Sequence, residues 1–332
     1  MKILHAKSPC CFAKVNRFGK RRRQCASCRK TWRIRKKKRG RKLKRASVNL
    51  IIRFFQKRSL PLRIAATVQG SGKDAVQLLL QRSLKAYLKK YQSDWLGFLS
   101  ESGPLIAVAD AIWYYAAGQK YAIYVILLRP VNANEAVICP PVILPGHENS
   151  RGWNEAFRFL PKALEKRIIA LVSDGGTGLM LLAKTKPWII QRCHFHLISA
   201  VQNYLTTGPR SPHREFALQV MNLVRQVLQT KDKELITKVE TLRRQTSSRG
   251  LKRVLGGLIE NLPDFHAYLH YPYLNLPTTS NTAESFIQCL RDLMYRCRGF
   301  RSLEALQRWL TAAAIFKRTM RCNGRLSTKL NR

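Results

Sequence analysis

Residues 167–196, RIIALVSDGGTGLMLLAKTKPWIIQRCHFH, decide how the chain is organised. Ile168-Ile169-Ala170-Leu171-Val172 is an apolar run of β type that leads to Asp174 and a Gly-Gly turn. A helix-like segment follows, then a second short apolar run, then Cys193 and His196 with two residues between them. A carboxylate delivered to the end of a buried strand is costly unless something pairs with it, and a metal ion is a common reason to keep one there. What joins Asp174 therefore decides the chemistry.

Upstream, Leu105-Ile106-Ala107-Val108-Ala109-Asp110 is another buried-type run ending on a carboxylate. Residues 121–128 and 135–143 follow as β-rich runs separated by turn residues at 117–119 and 131–134, and residues 150–164 carry a helical pattern. Three consecutive strands, a crossover helix and a further strand predict an α/β fold with a mixed sheet. The Asp110 and Asp174 strands are then adjacent and parallel, and their acidic ends meet at one edge. The third carboxylate lies far downstream. Residues 277–284, PTTSNTAE, open a helix that continues through Phe286, Ile287, Leu290, Leu293 and Met294. Helical residues seven apart differ by only about 20° in direction, so Glu284 and Arg291 share a face, one suited to a metal and the other to a phosphate. Asn281-x-x-Glu284 also fits a capping box, in which Glu284 only satisfies backbone N–H groups. Beside Asp110 and Asp174 the metal reading is preferred. Asp110, Asp174 and Glu284 are hard oxygen donors, which suit two magnesium or manganese ions.

The chain has 332 residues and a formal net charge of +43. Of its 61 Lys and Arg, 20 fall in residues 1–46, which contain no Asp or Glu. Such a bias is the electrostatic footprint of a polyanion, so nucleic acid is the expected partner, with an anionic membrane a distant second. The longest apolar run, residues 121–128, is too short to span a bilayer, and Met1-Lys2-Ile3-Leu4 leads into charged residues without a signal-peptide core. A cytoplasmic, nucleoid-associated protein is expected. Nine cysteines, clustered at 10, 11, 25 and 28 and scattered afterwards, suit a metal site plus reduced thiols better than a disulfide framework.

Cys25-Ala-Ser-Cys28 is a C-x2-C pair that looks like one knuckle of a zinc ribbon, with Ser8-Pro9-Cys10-Cys11 as the other. Cys11, Cys25 and Cys28 are good ligands, and the fourth is Cys10 or His5. Ser8 stands where a ribbon would normally have cysteine, which leaves open a degenerate ribbon that holds no zinc. Lys36-Lys37-Lys38-Arg39-Gly40-Arg41-Lys42 is too charged to pack and reads as a solvated tether lying along phosphates. An apolar-periodic segment at 48–55 leads into residues 60–68, the turn Gln69-Gly70-Ser71-Gly72, and a helical stretch at 73–84. This is a helix-turn-helix pattern, with a recognition helix starting near Ser71 and Lys73 and Gln77 able to point at DNA. An ordinary helical bundle is the bland alternative. Gly70-Ser71-Gly72-Lys73 fails as a phosphate-binding loop, because Thr67 replaces the first glycine and Asp74 the magnesium-binding hydroxyl.

VAD ending at Asp110, SDGG around Asp174, QRCHFH through Cys193 and His196, and TSNTAE ending at Glu284 together resemble the DDE transposases of the Mutator-like bacterial insertion-sequence superfamily. The resembling variant carries an N-terminal zinc ribbon. The resemblance covers most of the chain and implies a ribonuclease-H-like core interrupted by an all-α insertion between the second Asp and the Glu. The 110 positions from Asp174 to Glu284, rich in Leu, Arg, Lys and Gln at helical spacing over 206–260, leave room for one. Implied domains are 1–35 zinc-ribbon-like, 36–46 basic tether, 47–100 helix-turn-helix, 101–205 first part of the core, 206–275 helical insertion, and 276–332 the Glu helix with a frayed basic tail from residue 320. Cys-x2-His is the most diagnostic piece and implies a supporting role for Cys193 and His196 near the DNA end. Arg291 stands where related transposases often place a basic residue. The implied activity is metal-dependent cleavage and joining of DNA strands, carried out by a dimer or higher oligomer on DNA. Two competing readings are a catalytically silent DNA-binding protein of transposase descent and a zinc-ribbon transcription regulator.

Overall fold

The computed structural model describes residues 7–8, 10–20, 22–33, 47–56, 73–97, 99, 103–116, 118–205, 214–297, 300 and 302–322. The chain divides into two compact units, residues 1–45 and 46–332. The first unit is a three-stranded antiparallel sheet of β1 (Val15–Arg17), β2 (Arg22–Cys25) and β3 (Thr31–Arg33). A unit this small cannot bury enough apolar surface to hold itself, and such units usually need a covalent or metal cross-link.

The second unit is an α/β structure. It opens with helices α1 (Val48–Gln56), α2 (Lys73–Tyr91) and α3 (Asp94–Gly97). A hairpin of two long strands follows, β4 (Leu105–Ala116) and β5 (Gln119–Pro130), and then β6 (Glu135–Ile138) and β7 (Val142–Pro145). Helices α4 (Ser150–Arg158) and α5 (Lys162–Glu165) cross to β8 (Ile168–Ser173), and α6 (Thr177–Ala183) crosses to β9 (Ile189–Arg192). Next come α7 (His194–Gln202), α8 (Arg214–Gln229), α9 (Lys233–Gln245) and α10 (Arg249–Glu260), the short turns α11 (Leu262–Phe265) and α12 (Ala267–His270), α13 (Asn281–Arg296) and α14 (Leu303–Lys317). Strand β10 (Thr319–Arg321) closes the described part.

The seven-stranded sheet runs β10-β6-β5-β4-β8-β9, with β7 also on β5. β4 is antiparallel to β5 and parallel to β8, and β8 is parallel to β9. Both faces are covered, which explains why the central strands read as continuous apolar runs rather than alternating ones. Ile106, Val108, Ala170 and Val172 face α13 and α14 through Phe286, Ile287, Leu290, Leu306 and Leu310. Their neighbours Leu105, Ala107, Ala109 and Leu171 face α4 and α6 through Trp153, Phe157, Leu179 and Leu182. Helices α8 to α10 build a separate core with α7, in which Val201, Val224, Leu255 and Leu258 are buried. Ile51 of α1 and Leu84 and Tyr87 of α2 pack on Ala312 and Ile315 of α14. Arg129, fully buried on β5, donates to the carbonyls of Leu274, Asn275 and Cys322 and so ties the segment entering α13 to the sheet.

Several boundaries differ from the sequence reading, each for a local reason. β4 does not stop at Asp110 but continues six residues beyond it, because Ala111 to Ala116 stay paired with β5. The expected strand over 135–143 divides at Cys139-Pro140-Pro141, since proline supplies no ladder N–H. The expected helix over 150–164 breaks at Pro161 for the same reason. The tail is ordered further than expected: β10 pairs with β6, and Cys322 is fully buried. The tether at 36–46, His5, and the segment at 60–68 with its turn at 69–72 from the expected helix-turn-helix lie outside the described residues. Among the described residues no helix is long and apolar enough to cross a membrane.

Candidate active site

The sheet register brings Asp110 and Asp174 together. Val108 pairs with Val172 across the parallel β4–β8 ladder, and each aspartate lies two residues further along its chain. Side chains alternate along a strand, so Asp110 shares the face of Ile106 and Val108, the face on which α13 packs. Gly175, at φ +91°, turns the chain out of β8 in a conformation that favours glycine, and the Gly176 N–H donates to Asp174 Oδ1 at 2.9 Å. Asp110 Oδ1 accepts from the Ala111 N–H at 2.7 Å. Burial and, next, the Asp174 carboxylate push Asp110 up to about 7, with Glu284 and His196 also close enough to act on it. No Lys or Arg among the described residues forms an ion pair with Asp110 or Asp174. Like-charged carboxylates without a Lys or Arg partner are what a hard divalent ion would stabilise.

Glu284 arrives in the first turn of α13, whose N-cap is Ser280. It does not act as a helix cap: Glu284 Oε1 accepts from Ser280 Oγ at 3.1 Å and lies 3.4 Å from His196 Nδ1. The C-x2-H motif is wired to the same place. Cys193 caps α7, its N–H donates to Ser173 O at the end of β8, and its Sγ accepts the Ser280 N–H at 3.3 Å. The His194 N–H donates to Thr278 O, pulling the segment before α13 onto the start of α7. Contact with the Cys193 sulfur pushes the His196 imidazole up to about 9, so at neutral pH it is a cation facing Glu284. Asp110, Asp174, Cys193, His196 and Glu284 thus converge. Arg291 lies on the exposed side of α13, two turns along from Glu284. Gln77 is half-buried on α2, and Lys73 is its first residue.

One further carboxylate belongs to this constellation and escaped the sequence reading. Glu148, just before α4, directs Oε1 toward the Trp153 indole N–H at 2.7 Å, and both partial burial and Asp174 raise its carboxyl above the usual range. A Cβ built on Gly176 would lie 3.2 Å from Glu148 Oε1 and 3.3 Å from Asp174 Oδ1. Gly176 therefore keeps open a gap lined by two carboxylates. In sequence, Glu148 follows a Pro-Gly turn and looks like an ordinary loop acid; Trp153 five residues on was the only available signal.

In the first unit, the sulfurs of Cys10, Cys11, Cys25 and Cys28 all lie within 4.8 Å of one another, a set that could hold a structural zinc ion. Cys10, not Ser8, supplies the fourth sulfur, 3.4 Å from that of Cys28. Ser8 is buried beneath the cluster, where its Oγ accepts the Ala13 N–H and lies 3.2 Å from Cys25 Sγ. That hydroxyl and the backbone N–H of Cys28 lower the Cys25 thiol, whereas the Cys28 sulfur raises Cys11. Metal analysis of the chain purified without added zinc is expected to give one tightly held zinc per chain, lost in the Cys25→Ser/Cys28→Ser variant; a metal-free wild type would exclude the site. No protein-family model matches the chain, and no curated protein matches it in sequence.

Proposed function

We propose that this chain is a DDE-type transposase, which cuts and joins DNA strands by metal-dependent phosphoryl transfer at Asp110, Asp174 and Glu284. The observation that carries the reading is the convergence of these three carboxylates from two adjacent parallel strands and one helix. Three antiparallel strands followed by two parallel ones, with β4 in the centre, support a ribonuclease-H-like core. The helices between β9 and α13 fit an all-α insertion, the four-cysteine unit a zinc ribbon, and α1 with α2 part of a DNA-binding helical unit.

Asp110, Asp174 and Glu284 would hold two magnesium or manganese ions, which when bound would supply activation of the attacking oxygen and stabilisation of the leaving one. The chain's own residues do the rest. Asp110 and Asp174, each accepting a backbone N–H, present their oxygens where β8 ends beside the middle of β4. His196 and Ser280 orient Glu284 toward them, and Arg291 offers its charge to a phosphate further along the strand. No side-chain nucleophile is involved: water serves in cleavage, and the freed 3′-hydroxyl serves in joining. The +43 charge supplies sequence-independent, salt-sensitive affinity for DNA, to which the basic stretch at 36–39 contributes, and the ribbon and helical unit read the element ends. Joining two ends calls for a dimer on DNA, within the nucleoid.

The test is a strand-transfer assay with labelled donor ends taken from the DNA flanking the coding region. Joined product is expected with magnesium or manganese and none with chelator. A chain that binds this DNA yet never cuts or joins it with either ion would leave a DNA-binding protein, not an enzyme. Gly176→Ala probes the gap beside Asp174. At φ −52° and ψ 131° alanine is conformationally allowed, so the fold is expected to persist while joining falls by about tenfold or more. Joining within twofold of wild type would show that the gap is not used.

A further inference from the structure

Cys193, His196 and Glu284 do more than sit near one another. Their ligand atoms all lie within 4.8 Å of each other, with His196 Nδ1 3.4 Å from Glu284 Oε1. A thiolate, an imidazole and a carboxylate form a ligand set quite different from the all-oxygen set of Asp110 and Asp174, and one that suits zinc. The surroundings have the form of an outer shell. Ser280, fully buried, holds two of the three ligands: its N–H donates to Cys193 Sγ and its hydroxyl to Glu284 Oε1. Cys193 is itself anchored to β8 through Ser173 and sits at the N-terminus of α7. His196 Nδ1 is buried and makes no hydrogen bond. It is a nitrogen in a ligand's position, facing Glu284 Oε1 at 3.4 Å.

We propose that Cys193, His196 and Glu284 form a zinc site that regulates the neighbouring catalytic site by withdrawing Glu284 from it. The inference rests on the reading of Glu284 as a catalytic carboxylate. Zinc binding releases the Cys193 thiol proton and the His196 Nδ1 proton to solvent, leaves a fourth position for water, and commits Glu284 to the zinc. Zinc binds nitrogen and sulfur donors far more tightly than magnesium does, so micromolar zinc can compete with millimolar magnesium for the shared carboxylate. Such a site would silence strand joining when free zinc rises and restore it on chelation.

The experiment uses the full chain and zinc alone as probe. Equilibrium dialysis is expected to give two zinc ions per wild-type chain, one of them in the four-cysteine cluster, and one per chain in Cys193→Ser and in His196→Gln. In the Cys25→Ser/Cys28→Ser background the same comparison gives one against none. Thermal melting accompanies each variant, so a misfolded protein is recognised and the count rests on the one that folds. In the joining assay, zinc should inhibit wild type reversibly, and the inhibiting concentration should rise by about tenfold or more in Cys193→Ser, measured against that variant's own zinc-free rate. Equal zinc counts in wild type and both variants overturn the proposal, as does equal zinc sensitivity. A chain that never joins DNA overturns the transposase reading instead, while the zinc count still decides this one.

Discussion

Asp174→Asn is expected to lower strand joining by about 10³-fold or more, equivalent to roughly 4 kcal/mol of transition-state stabilisation. Asparagine keeps the size of the side chain, and its carbonyl can still accept the Gly176 N–H that fixes the turn after β8. What it removes is the negative charge that a hard cation needs, at the one carboxylate flanked by both Asp110 and Glu148. DNA binding should not weaken, since losing an acid makes a chain of charge +43 more cationic. The comparison is single-turnover joining against filter binding on the same donor DNA. Full activity in Asp174→Asn would remove Asp174 from the site even if the chain joins DNA.

Asp110→Asn should act in the opposite direction on stability. The folded state holds a proton on Asp110 up to about pH 7, whereas an unfolded aspartate gives it up near pH 4. Between those values the native chain binds more protons than the unfolded one, so metal-free stability falls as pH rises through this window. The cost is complete above the folded value and is on the order of 2–4 kcal/mol. In chelator at pH 8 the Asn variant is therefore expected to melt several degrees above wild type, and at pH 4 to lose that advantage. Magnesium should stabilise wild type more at pH 8 than at pH 5 and affect the variant less. A variant that melts at or below wild type at pH 8 without metal would show that Asp110 carries no such burden. Stability given up at one carboxylate is what a site adapted to a cation shows before the cation arrives.

The sequence was legible where a strong local pattern met a buried environment. Apolar runs at 105–110 and 168–172 placed two strands and their parallel pairing, and with them the meeting of Asp110 and Asp174. It was less legible where pairing partners decide an element's end, as in β4 beyond Asp110, and where prolines at 140, 141 and 161 cut elements that periodicity ran together. Side-chain partners were the hardest part. Cys193 and His196 carried a recognisable spacing, yet nothing local says that Ser280, 87 positions after Cys193, bonds to one and shares Glu284 with the other. Glu148 carried no pattern at all, because its importance comes from a fold that brings the start of α4 against the turn after β8. At Ser8, the sequence left open a ribbon without zinc and offered Cys10 or His5 as the fourth ligand; Cys10 supplies the fourth sulfur of the cluster, and the serine hydroxyl lies against Cys25.

The claim on which everything else depends is that the converging carboxylates hold a divalent cation. Manganese binding to the full chain with zinc in the four-cysteine cluster alone and none added in excess, followed by calorimetry or electron paramagnetic resonance, tests it without reference to any DNA sequence. The expected result is saturable binding in wild type, weakened by about tenfold or more in Asp110→Asn, Asp174→Asn and Glu284→Gln individually and abolished when all three are combined. Manganese binding that is unchanged in the triple variant, with the fold intact by melting, would contradict the account.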